Sequence, residues 1–211
     1  MKKIIIVLIS VLGFISCNNQ EKEEFETNND ALFFEEILSA IPEIKLPYNL
    51  YCGIGDGVFP CPYLFVEDLG ENAMKLFPEN SMIVGKMPIN NDNTYIIYGL
   101  PGDIIYPYLN IYDKNGQKID SLYLHISYCT GDDEELVTTA TTINKDFSIH
   151  MTDTIQYHRD IGNNEDYEWI IDSVIVSTRK MDLMKDGYYK ITKETTHKVN
   201  TVMNYNRKST E

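Results

Sequence analysis

The chain has 211 residues, and its 32 Asp and Glu outnumber its 18 Lys and Arg, which gives a formal net charge of −14. A protein that binds phosphate backbones needs Lys and Arg clustered on one face, and the sequence offers no such cluster. We therefore exclude nucleic acid as a partner and expect the charge to serve solubility.

The first residues have the features of an export signal. Lys2 and Lys3 form a basic start, and Ile4–Ile15 is an apolar run, shorter than the roughly 20 residues needed to cross a membrane. The run ends in Phe14-Ile15-Ser16-Cys17, which resembles the lipobox of bacterial lipoproteins. The resemblance implies cleavage before Cys17 and acylation of its thiol and new amino group. The alternative is ordinary secretion with an incidental thiol.

The same resemblance implies where the protein resides and how it is organised. Acyl chains would attach it to the membrane of the cell envelope, and the outer membrane is the expected location, with the leaflet left open. The signal peptide, at residues 1–16, is followed by an acidic flexible tether at 17–29 that is too polar to bury a core. We expect a single β-rich domain at 30–204 and a polar tail at 205–211.

One helix is predicted at the start of the domain. Asp30 is a suitable amino-terminal cap, apolar residues recur at helical spacing from Leu32 to Ile41, and Pro42 ends the pattern near Ala40. The helix therefore has an apolar face that must cover another part of the domain.

Three cysteines remain after the signal. Cys52 and Cys61 flank a loop rich in Gly and Pro, and an oxidising envelope permits disulfides, so we predict that these two residues pair. Spacing alone does not fix the connectivity. A bridge from Cys129 to either partner and three free thiols are the alternatives.

From Met82 onward the pattern changes to strands joined by turns. Asp113–Gly116, Asn144–Asp146 and Lys185–Gly187 separate β-branched and aromatic segments, as hairpin turns do. Consecutive hairpins without helical crossovers exclude a parallel α/β fold. We predict a mainly β (α+β) domain, an antiparallel β-meander of about six to eight strands in a curved sheet or partial barrel, with the helix against it. Together with Ile44–Tyr48, this arrangement resembles a loose class of Gram-negative envelope lipoproteins that implies no particular activity.

The first hairpin is rich in tyrosine, of which the chain has 15. Tyr106, Tyr108 and Tyr112 share one face of a strand by alternation, opposite Leu109 and Ile111. Alternation buries the aliphatic side and leaves the tyrosines outward, where a partner or another part of the chain must cover them. We predict that the three tyrosines form a binding face for a protein or glycan.

Common metal and catalytic motifs do not occur in the sequence. His125, His150 and His158 fall on the polar faces of their predicted strands, and the last two are about 26 Å apart along one strand. There is no His-Glu-x-x-His or Cys-x-x-Cys zinc motif and no Gly-x-Ser-x-Gly elbow. We expect exposed, unliganded histidines, no metal and no cofactor.

Three short motifs resemble the O-glycosylation signal of some Gram-negative envelope proteins. Each is an Asp followed by Ser or Thr and an aliphatic residue, and the candidate acceptors are Ser121, Thr154 and Ser173. Alternation places Ser121 and Thr154 on exposed faces of their strands, although strand edges also produce so short a motif by chance.

Taken together, these features predict a non-catalytic envelope lipoprotein whose β-sheet presents a binding or scaffolding surface to a protein or glycan. Two other functions remain open. An acidic chain suits an immunity-like inhibitor of a basic toxin directed at the envelope, and distant residues can converge into the site of a hydrolase. Surface charge and concavity distinguish the three.

Overall fold

The computed structural model describes residues 27–52, 63–89, 92–102, 104–127, 135–161, 169–199 and 203–205. Within these ranges the chain forms one α-helix, two short 3₁₀ helices and eleven strands. Helix α1 spans Thr27–Ala40, and the 3₁₀ helices span Val66–Leu69 and Ala73–Lys75. The strands are β1 (Tyr48–Cys52), β2 (Leu64–Phe65), β3 (Met82–Lys86), β4 (Thr94–Pro101), β5 (Ile105–Tyr112), β6 (Lys118–Tyr123), β7 (Glu135–Ile143), β8 (Ile149–Asp160), β9 (Trp169–Leu183), β10 (Tyr189–Val199) and β11 (Met203–Tyr205).

The strands form two antiparallel sheets. The first sheet has the order β2-β3-β4-β5-β6, a meander in chain order. The second sheet has the order β1-β7-β8-β9-β10, and β11 pairs with β9 beyond the end of β10. The predicted class is confirmed, a mostly β antiparallel fold with an amino-terminal helix, but the sheets do not close into a barrel. The eleven described strands exceed the six to eight that were predicted, because β1, β2 and β11 are too short to show a clear alternation of polar and apolar residues.

The two sheets pack face to face around the larger of two hydrophobic cores. Tyr95 and Leu109 of the first sheet and Ile143 and Ile149 of the second are fully buried there. The Tyr95 hydroxyl donates a hydrogen bond of 2.9 Å to the carbonyl of Gly187, in the turn between β9 and β10. This bond fixes the second sheet against the first.

The opposite face of the first sheet is also covered. Phe34 and Ile37 of α1 pack with Ile96, Tyr98 and Tyr112 of the first sheet, and the 3₁₀ helices complete this second core. The first sheet is therefore the middle layer of three, with the helices on one side and the second sheet on the other. Because both of its faces are buried, β4 is a continuous apolar run rather than an alternating one.

The chain that leaves α1 is held against β3. The Lys86 ammonium donates to the carbonyl of Leu38 at 2.7 Å, which places a cation at the negative end of the helix. A Cβ atom on Gly85 would lie 2.7 Å from the Pro42 carbonyl oxygen and 2.7 Å from the Ile44 Cγ2 atom. Only glycine permits so close an approach at this point of β3.

Strand β10 is an edge of the second sheet among the described strands, because it pairs with β9 on one side only. Nearly all of its residues are exposed. Its register with β9 shifts between Ile191 and Lys193, which marks a bulge. The strand therefore extends beyond the packed core and shows side chains on both faces.

Candidate functional site

Tyr112 does not lie on an outward face, so this part of the predicted binding face is wrong. Its side chain is 0% exposed and packs against Phe34 and Phe77, with ring centroids 5.5 and 5.9 Å away. Its hydroxyl donates to the carbonyl of Leu76 at 3.0 Å and accepts from the Asn110 side-chain amide at 2.9 Å. Burial raises the pKa of Tyr112 well above its usual value. Helix α1 and the region of the 3₁₀ helices, which belong to the same chain, therefore cover the Tyr112 ring.

The other two tyrosines of the predicted face are partly buried. Tyr108 stacks on Tyr98 with ring centroids 5.6 Å apart and contacts Tyr123 at 5.4 Å. Tyr106 lies so close to Gly102 that a Cβ there would be 2.7 Å from its ring. Tyr108 therefore belongs to an aromatic cluster with Tyr98 and Tyr123, and Tyr106 and Tyr108 are both less exposed than alternation predicts.

His125 is buried, so its predicted place on an exposed polar face is wrong. The residue is 3% exposed, and neither ring nitrogen has a hydrogen-bond partner among the described residues. Burial lowers the pKa of His125 to about 4. The prediction fails because that face is covered: the His125 ring packs edge-on against Tyr123, with ring centroids 5.7 Å apart.

The crossing segment is attached to the second sheet by buried polar contacts. Asp153, on the inner face of β8, is fully buried, and its Oδ2 accepts hydrogen bonds from the backbone amide and hydroxyl of Ser127. Burial raises the pKa of Asp153, and the bonds from Ser127 oppose this shift. The Thr141 hydroxyl donates to the carbonyl of Leu124. These contacts fix the path of the chain between the sheets.

The other two histidines predicted on polar strand faces both lie in β8. His150 is exposed in β8, whereas His158 is half-buried near a register shift of the same strand. Within the part of the chain that the structure describes, no group of three His, Cys, Asp or Glu is placed to hold a metal ion. The expectation that the chain uses no metal or cofactor stays a prediction.

The three candidate glycosylation sites differ in accessibility. Ser121 is exposed on the edge strand β6, and its hydroxyl donates to the Asn110 side chain at 2.7 Å. Thr154 is half-buried in the middle of the second sheet, and Ser173 is only 6% exposed. A folded chain therefore offers Ser121 most readily to a modifying enzyme, and modification itself stays a prediction.

Most of the residues in the cysteine predictions lie outside the described ranges. Cys17, Cys61 and Cys129 fall outside the described residues, and for Cys52 only its place in β1 is described. Lipidation at Cys17 and a bridge between Cys52 and Cys61 stay predictions.

The outward side of the second sheet, here called the outer face, is polar and open. In one row across the sheet, Asn49, Thr142, His150, Lys180 and Lys193 are successive register partners from β1 to β10. The intervening positions of these strands point inward, where their side chains form the core between the sheets. The described layers of the domain thus lie on the other side of this sheet.

The outer face contains a groove of about 840 Å³. Its lining reaches from Pro47, before β1, across the sheet to Lys193 on β10, and includes the turn between β7 and β8. Tyr51, 53% exposed, stands on the same face in the next row of the sheet. The groove offers hydroxyls, an amide and basic groups beside an exposed aromatic ring.

The groove concentrates basic groups on an acidic chain. Three of the 18 Lys and Arg, namely Lys145, Lys180 and Lys193, place their side chains there, together with one carboxylate. Lys180 pairs with Asp182 at 2.8 Å. Arg179 also borders the groove, but it is the register partner of the core residue Met151 and pairs with Glu194 at 2.6 Å. Within the described residues no ion pair involves the other two, Lys145 and Lys193. Sequence reasoning missed this site because its cations come from a turn and two separate strands.

Comparisons with known proteins return no match. No family model, no curated protein and no solved structure matches the chain. Among the residues that the structure describes, no helix combines the length and apolar character needed to span a bilayer.

Proposed function

We propose that this chain is a non-catalytic, lipid-anchored envelope protein that binds a protein or glycan partner through the outer face of the second sheet. The observation that carries the proposal is the open groove on that face, because concave polar surfaces with a few convergent groups are where ligands bind. Tyr112 of the first sheet does not serve this role, since α1 and the 3₁₀ helices cover it.

The polar groups between the sheets do not support the hydrolase alternative. Ser127, His125 and Asp153 are the residue types of a hydrolytic triad, but a triad needs the histidine between the other two. Here the Ser127 hydroxyl donates directly to Asp153, and His125 bonds to neither. The inhibitor alternative needs a continuous acidic face, whereas the concave face of the second sheet is lined by more basic than acidic groups.

The binding proposal predicts that Tyr51 contributes to partner capture. Replacing Tyr51 with Ser should reduce, by about tenfold, the envelope material recovered by the bead-bound protein, because exposed aromatic rings dominate binding energy. Protein in the recovered fraction is measured by mass spectrometry, and glycan by monosaccharide analysis. Tyr188→Ser is the matched control, since Tyr188 is 38% exposed in the turn between β9 and β10. Equal capture by both variants would show that the outer face is not the binding surface.

The anchor proposal predicts that the thiol of Cys17 is essential for processing. A Cys17→Ala variant should lose incorporation of a labelled fatty acid and accumulate as uncleaved precursor, because the lipoprotein peptidase acts on the acylated cysteine. Metabolic labelling and the mobility of the band in gels measure both effects. A variant that is still cleaved at the same bond and released in soluble form contradicts lipidation.

A further inference from the structure

The geometry points to a linear acidic polysaccharide as the ligand of the groove on the outer face. This inference deepens the proposed binding function and depends on it. It rests on three properties of the groove: the sign of its charge, its length across the sheet, and the polar character of its side chains.

The charge of the groove selects an anionic ligand. The side chains on this face and their direct ion-pair partners carry three positive charges, from Lys145, Lys180 and Lys193, and two negative ones, from Asp146 and Asp182. The whole chain, by contrast, has a net charge of −14. Asp146 is engaged within its turn, where it accepts hydrogen bonds from the amide and hydroxyl of Ser148. The ammonium groups of Lys145 and Lys193 are therefore the ones available to a ligand.

The length of the groove selects a polymer over a small anion. It crosses the sheet from the start of β1 to β10, and five adjacent strands span about 19 Å at the usual spacing. Lys145 lies in the turn between β7 and β8, whereas Lys193 lies on the edge strand. A chain of charged sugar units can contact these two lysines and also extend along the rest of the groove toward β1.

The side chains of the groove favour a glycan over a protein. Protein interfaces have a desolvated centre rich in aromatic and aliphatic anchors. The side chains on the outer face of this groove are instead mostly polar or basic. They include Thr152, Thr178, His150 and Lys180. Tyr51 supplies a ring with one apolar surface and a polar tip, which suits the apolar side of a sugar ring. Hydroxyls and cations together match the hydroxyls and carboxylates of an acidic polysaccharide.

Affinity electrophoresis of the whole chain in mild detergent tests this inference. Gels contain polygalacturonate, neutral dextran or no polymer. We expect polygalacturonate alone to retard the protein, and the retardation to weaken as salt is added because the attraction is electrostatic. The Lys145→Gln, Lys193→Gln double variant should bind about tenfold more weakly. Lys114→Gln, Lys118→Gln makes the same charge change at exposed positions of the first sheet and should bind normally.

Each other outcome overturns the inference in a recognisable way. Equal retardation by dextran means that the ligand is neutral. Equal loss in both double variants means that the attraction comes from net charge and not from the groove. If no polymer is bound but capture of envelope material still depends on Tyr51, the acidic-glycan assignment is wrong while the binding face stands. If that capture fails as well, the proposed function fails with it.

Discussion

Replacing Tyr112 with Ala should lower the free energy of unfolding by about 3 to 5 kcal/mol, the usual cost of removing a buried aromatic ring. Tyr112 is fully buried between β5 and the helices and contacts Phe34 and Phe77. Chemical denaturation followed by circular dichroism measures the change. Tyr112→Phe keeps the ring but removes the bonds of the hydroxyl to Asn110 and Leu76, so it should cost only about 1 to 3 kcal/mol.

The control for this prediction is Tyr51→Ser on the outer face. Because Tyr51 is 53% exposed, its loss should change stability by less than about 1 kcal/mol. If Tyr112→Ala left stability unchanged and instead abolished partner capture, Tyr112 would belong to an exposed binding face and the helical cover would be wrong.

Acidification should destabilise the protein through His125. Its pKa is about 4 in the folded chain and 6.5 in the reference state, so the unfolded chain binds the proton first as the pH falls. Folding stability is therefore lost between about pH 6.5 and pH 4, and His125 should account for about 2 to 3 kcal/mol of that loss by pH 4.5. Urea unfolding at pH 7.5 and pH 4.5 measures it.

A His125→Leu variant isolates this contribution. It removes the titrating group and two buried nitrogens for which the described residues offer no partner, so its stability at pH 7.5 should be close to that of the parent. Asp153 acts in the opposite direction, because its raised pKa makes folding more favourable as the pH falls through that value. Since Asp153 is present in both proteins, the difference between them reports His125. Parallel pH dependence in the two proteins would contradict the assignment.

Local patterns predicted the fold class and the carboxyl-terminal end of α1, but not the layering. The helix begins at Thr27, three residues before the predicted cap Asp30. Turn residues and alternation are local signals, and Pro42 ends the helix near Ala40 as expected. The alternation of side chains along a strand does not show whether another layer of the fold covers the strand's second face. The prediction for Tyr112 was wrong because it assumed that one face of the strand is exposed to solvent. The apolar run of β4 was the available sign that both faces of the first sheet are buried.

The sequence did not predict the groove, for a related reason. Lys145, Lys180 and Lys193 are far apart in sequence, and register between strands brings them to one face. A search for runs of basic residues cannot find such a set. Alternation does place His150, Thr152 and Thr154 on one polar face of their strand. The sequence does not show, however, that this polar face continues across five strands.

The exposed strand β10 has a consequence for association between molecules. An unpaired strand edge invites another chain to add itself by backbone hydrogen bonds. Lysines at positions 190, 193 and 198 lie along this edge, and the register shift after Ile191 interrupts the regular row of donors and acceptors. An incoming strand would have to bury these ammonium groups and match an irregular backbone. The edge is thereby protected against self-addition, so molecules crowded together resist growing into a continuous intermolecular sheet.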